Sequence, residues 1–139
     1  MIFPSVNLLG VLLGGIANMI VGFIWYSPQV MGKPWMRLMG FTEKSIKDAQ
    51  KKMGPLYGLS FVGALIQAAA ISVILKMTFV DGLGNTLLVG GLLWLGFIAV
   101  TQLTDAIFNI RKFNPHLLAI NTFYQLLSIL IMTTVLYLV

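Results

Sequence analysis

The chain has 139 residues, of which 58% are hydrophobic and only 9% charged, with a formal net charge of +5 and a mean hydropathy of +0.93. A soluble domain carries ~25% charged residues; this chain has too little polar side chain to cover a water-facing surface, which excludes a secreted enzyme, a free nucleic-acid binder and a disordered tail. The charges are also clustered: Met1–Gly32, Met53–Leu75, Gly82–Thr104 and Phe113–Val139 hold none, in gaps of 32, 23, 23 and 27 residues, and a membrane-crossing helix takes ~20 apolar residues.

The pattern predicts an all-α integral membrane protein. It is a four-helix bundle in one transmembrane domain over 1–139, with spans at about 6–26, 55–77, 85–110 and 115–139. The first span closes at Trp25-Tyr26-Ser27-Pro28, where the aromatic rings suit the headgroup level and Pro28 pushes Ser27 out of helical geometry. Residues 27–54 form a short amphipathic helical segment on the cytoplasmic side. Within it, Pro34 opens a helix with Trp35, Leu38 and Met39 on one face, and Gly40 ends it. Thr42 caps a second helix with Glu43 in its first turn, and Ile46, Ala49 and Met53 form its apolar stripe. Glu43–Lys47 and Asp48–Lys52 are spaced for ion pairs, and Gly54-Pro55 stops it.

The second span has small residues four apart, Ser60, Ala64, Ala68 and Ser72, which let helices approach closely in lipid; Gly14 and Gly22 of the first span are their expected neighbours. Asp81-Gly82-Leu83-Gly84 is the short turn to the third span. The fourth starts at Pro115, a favoured first helical residue.

Orientation follows from the cations. Lys33, Arg37, Lys44, Lys47, Lys51, Lys52, Arg111 and Lys112 fall on one side, against Lys76 alone on the other. Eight against one puts both loops in the cytoplasm and both termini outside. The first span has its positive charges after it, the reverse of a cleaved signal peptide. The basic loop is expected to meet anionic headgroups through Lys33, Arg37, Lys44, Lys47, Lys51 and Lys52, and the positive-inside bias accounts for the net charge without nucleic acid.

Trp25-Tyr26-Ser27-Pro28, Gly32-Lys33-Pro34-Trp35-Met36-Arg37, Gly40 and Thr42-Glu43, with Leu93-Trp94-Leu95-Gly96-Phe97 and the Asn121–Tyr124 region, resemble DUF1761. This is a family of small multi-pass bacterial membrane proteins of unknown function, and the resemblance covers most of the chain. It implies no assigned catalytic or binding residues, and an amide more often than an acid at the position of Asp105.

Polar side chains inside spans are costly and often functional. Asn18 shares a face with Gly14, Gly15 and Gly22. Gln67 lies beside the small-residue stripe. Thr101, Gln102, Asp105 and Asn109 make one stripe on the third span, below Trp94 and Ile98. Asn121, Tyr124, Gln125 and Ser128 make another on the fourth. Taken together, Asn18, Gln67, Gln102, Asp105, Asn109, Asn121, Tyr124 and Gln125 form a candidate polar cluster in the cytoplasmic half of the bundle. Asp105, the one acid within a span, falls ~9 Å inside its cytoplasmic end at 1.5 Å per residue. It reads either as an acid held by neighbouring amides or as a cation or proton site whose burial raises its pKa. His116 is placed at the interface.

There is no cysteine, which removes disulfides and thiol chemistry, and one histidine, which removes a multi-histidine metal site. Phosphate-binding loops, paired acids and nucleophile–histidine pairs are missing. The sequence therefore predicts no catalytic or metal-binding residues and no cofactor, and it ranks a membrane enzyme or redox accessory last among three classes of function. The leading expectation is a small oligomeric transporter or channel, a homo-oligomer using the polar cluster. The alternative is a membrane scaffold that binds a partner through the basic loop.

Overall fold

A computed structural model describes residues 4–109 and 113–139; the expected end of the third span at Ile110 and the loop cations Arg111 and Lys112 lie outside those residues. The first helix, α1 (Leu8–Trp25), is capped by Asn7, whose Oδ1 accepts the Gly10 N–H at 3.2 Å and satisfies one of the free donors of a helix start. Past α1 the chain reverses tightly. The Gly32 N–H donates to the Ser27 carbonyl at 2.8 Å. A Cβ on Gly32 would lie 2.5 Å from the Tyr26 carbonyl oxygen and 2.6 Å from that of Ser27, so only glycine fits.

Helix α2 (Gly32–Met39) follows and stops at Gly40, which takes the left-handed φ of 76° typical of such ends. Trp35 sets its ring edge-on to Tyr26, with centroids 5.6 Å apart, and lies 5.5 Å from Phe41. The Trp35 face is thus engaged by the chain's own aromatic rings. Thr42 and Ser45 then exchange hydrogen bonds of 2.8 and 3.1 Å, a reciprocal cap that starts α3 (Glu43–Gln50). The expected Glu43–Lys47 and Asp48–Lys52 ion pairs do not close; holding two long solvated side chains together gains little.

Helix α4 (Gly54–Met77) has Pro55 in its first turn. Next comes α5 (Leu83–Leu93), which runs through a π-helical stretch, Trp94–Ala99, into α6 (Val100–Phe108). Finally, α7 (Pro115–Leu138) is capped by Asn114, whose Oδ1 accepts from the N–H groups of His116 and Leu117 at 3.1 Å each. The described residues contain helices and no strand. Four stretches, Leu8–Trp25, Gly54–Met77, Leu83–Phe108 and Pro115–Leu138, are long and apolar enough to cross a membrane.

Small residues decide how these helices meet. α1 lies between α4 and α7, α5 packs on α7, and α4 and α5 touch only weakly. A Cβ on Gly14 would sit 3.3 Å from Met132 Cγ and 3.4 Å from Ala68 Cβ, so α1, α4 and α7 converge there. Ala64, Ala68 and Ser72 are buried, as a close-packing face requires, whereas Ser60 at the start of the stripe is exposed. Gly22 faces Tyr124 of α7 rather than α4, and Gly90 brings α5 against Thr133. The core is Val11, Ala68, Ile71, Ile129 and Met132. The outer sides are lined by exposed Leu12, Ile20, Leu59, Ile66, Leu95 and Phe97, a surface compatible with a membrane-embedded protein. Gly10 lies against Leu136 and the Lys76 ammonium donates to the Ser5 carbonyl. Both termini are therefore at one end, and α2 lies at the other, against α7.

Candidate functional site

The polar side chains gather in two neighbouring groups that share Asn121. In the first, Asn18 of α1 is the hub. Its Nδ2 donates to Gln67 Oε1 of α4 at 3.3 Å, and its Oδ1 accepts from the Tyr124 hydroxyl of α7 at 3.1 Å. Tyr124 sets its ring edge-on to Tyr26 at 5.1 Å, and the Tyr26 hydroxyl donates to Asn121 Oδ1 at 2.7 Å. Two indoles tie the same region to α7: Trp25 Nε1 donates to the Ile120 carbonyl at 3.1 Å and Trp94 Nε1 to the Thr122 carbonyl at 2.9 Å. Amides and phenols that satisfy each other between apolar helices fix register, because a slip would strand a buried polar atom.

The second group is a cleft of about 430 Å³ at the α2 end, between α6, α7 and α2. Its polar wall is Gln102, Asp105, Asn109, Asn114 and Asn121; Leu38, Met39, Ala106, Leu117 and Leu118 supply the apolar remainder. That volume falls in the range of small-molecule sites. Among the described residues Asp105 is the only charged one lining it. Its carboxylate takes no hydrogen bond from any described residue. Gln102 Oε1 is buried and has no hydrogen-bond partner among the described residues. Asn121 Oδ1 and Asn114 Oδ1 are already occupied, the former by the Tyr26 hydroxyl and the latter by two backbone N–H groups.

Three expectations change. The cluster is not one assembly: Asn18, Gln67 and Tyr124 form the network, Gln102, Asp105 and Asn109 the cleft, and Asn121 belongs to both. Gln125 is half-buried, lines no part of the cleft and makes no hydrogen bond among the described residues. Asp105 is exposed rather than buried, because α6 ends at Phe108 and Asn109 is already extended at ψ 136°; three residues from that end, it is ~4.5 Å in. Thr101 is exposed and does not hold Asp105; its hydroxyl donates to the Phe97 carbonyl of its own helix. The π-helical stretch separates this segment from Trp94, since one residue added to a turn rotates the remainder of the helix by about 100°; the stripe does not run on from Trp94, while Gln102, Asp105 and Asn109 beyond the stretch still share the cleft.

His116 is exposed and lines a shallower groove beside the cleft with Pro34, Arg37, Leu38, Ala119 and Ile120. Sequence reasoning missed Tyr26 and Asn114 as site residues. Tyr26 carries only an interfacial aromatic signal. Asn114 had a usable one, an asparagine directly before a helix-opening proline. No group of three or more potential metal-ligating side chains occurs among the described residues.

No curated protein and no solved structure matches the chain. The match is to a family described as proteins of unknown function, DUF1761: its model aligns with residues 9–137, nearly the whole chain, and the chain belongs to that family.

Proposed function

We propose that the protein is a small membrane transporter or channel whose ligand enters at the Asp105 cleft. The observation that carries this reading is an open cleft with a polar wall facing an apolar one and a single acid, set at one end of four apolar helices. Asn121 links the cleft to the Asn18–Gln67–Tyr124 network, which offers polar groups further along the helices. Met132 and Thr133 have no exposed surface, so the middle of one protomer is closed. Passage then needs helix rearrangement or a path between protomers, which favours a homo-oligomer. A mass of one protomer in native-like lipid would remove that part of the proposal.

The eight-to-one cation bias puts the cleft, α2 and α3 on the cytoplasmic side of a bacterial inner membrane with both termini outside. The loop 27–54 then lies at the interface. Its cations Lys33, Arg37, Lys44, Lys47, Lys51 and Lys52 meet anionic headgroups, and Arg37 and His116 flank a groove suited to one. A second reading, a scaffold that docks a partner through the loop, draws support from α3, which buries none of its residues.

The test is flux or ligand binding in liposomes, parent beside Asp105→Asn. The variant is expected to fold as well as the parent, or slightly better, because it removes a charge near the bilayer, and to lose cation-dependent activity. Asn121→Ala is expected to weaken that activity less. Overlaid curves for parent and Asp105→Asn would make the acid structural and remove the residue on which the reading depends.

A further inference from the structure

We infer that the Asp105 cleft is built for a small organic cation bearing N–H donors, a primary ammonium or a guanidinium, rather than for a metal ion, a quaternary ammonium or a neutral solute. The inference rests on the cleft being a ligand site and adds the chemistry of the ligand. Among the described residues the lining contains one charged group, the Asp105 carboxylate. That exposed carboxylate favours a cation over an anion or a neutral solute.

The remaining polar atoms decide which cation. Among the described residues Gln102 Oε1 is a buried acceptor with no donor, a costly state that a ligand N–H would relieve. A metal ion would need several oxygens around it. Here the carbonyl oxygens of Asn114 and Asn121 are already held by hydrogen bonds, and among the described residues no cluster of acids or histidines completes a shell. A quaternary ammonium is recognised by aromatic faces, and no lining residue is aromatic. What remains on offer is a carboxylate and an amide oxygen, Asp105 and Gln102, three positions apart on α6 and so on one face. An ammonium or guanidinium donates to both. The alkyl part of the ligand lies against Leu38, Met39, Leu117 and Leu118.

The test is isothermal titration of the protein in phosphatidylcholine nanodiscs with butylammonium, methylguanidinium, tetramethylammonium, potassium, magnesium and glycerol. Butylammonium or methylguanidinium is expected to bind saturably, at least about tenfold tighter than tetramethylammonium or either metal ion. Asp105→Asn is expected to weaken that binding by a similar factor. Gln102→Leu is expected to weaken it several-fold while leaving tetramethylammonium unchanged, and thermal unfolding of both variants checks that they are folded. Equal binding of tetramethylammonium, tighter binding of a metal ion, or glycerol binding that ignores Asp105→Asn would overturn the inference and leave the cleft as a ligand site. No saturable binding of any probe would overturn both.

Discussion

Single residues carry more of the architecture than their size suggests. Gly32 is the clearest case: the tight reversal between α1 and α2 places two carbonyl oxygens 2.5 and 2.6 Å from where its Cβ would be, and neither is the flexible end of a side chain. Gly32→Ala is therefore expected to destabilise the protein by about 1–3 kcal/mol. It should also loosen the docking of Trp35 on Tyr26. Thermal unfolding in detergent with tryptophan fluorescence measures both, and an unchanged midpoint would contradict the argument. Asp105 shows how far sequence reaches at this scale. Its position as the one acid in an otherwise charge-free span was plain from the composition. Its exposure was not, because that depends on α6 ending at Phe108 and on Asn109 being extended, which a charge gap does not encode.

Among the elements, the four long helices were legible because each fills a charge-free gap, and some helix ends were legible too, through Thr42 and Gly40 for the short helices and Pro115 for the last long one. The packing face of α4 was legible too, since small residues spaced by four leave a groove whatever helix fills it. Ala68 has no exposed surface and Ala64 only 5%, with α1 against that side at Gly14. Ala68→Leu and Ala64→Leu are thus expected to lower stability, by about 1–3 kcal/mol each. Unchanged thermal stability in both would argue against this contact. The π-helical stretch Trp94–Ala99 had no sequence signal. Its residues suit an ordinary helix, and the wide turn coincides with the Trp94 indole reaching the Thr122 carbonyl of α7, a tertiary contact. The two polar groups lie on different helices, the network on α1, α4 and α7 and the cleft at the end of α6, so a reading based on periodicity merged two groups that the fold keeps apart.

At the level of the whole molecule, α1 sits between α4 and α7 with α5 beyond, the termini share one end, and the cleft opens at the opposite end beside α2. Periodicity cannot say which helices are neighbours, so this order was not available from sequence, whereas the cation bias gives an expected side for each loop. The central claim joins the two: the Asp105 cleft faces the cytoplasm. The chain has no cysteine, so a single introduced thiol can be labelled without background. The most direct measurement is the reaction of Asp105→Cys with a membrane-impermeant maleimide in inverted vesicles and in intact spheroplasts, beside Ser5→Cys at the other end. The account predicts labelling of Asp105→Cys in inverted vesicles only and of Ser5→Cys in spheroplasts only. Labelling of Asp105→Cys from outside, or from neither side, would contradict it.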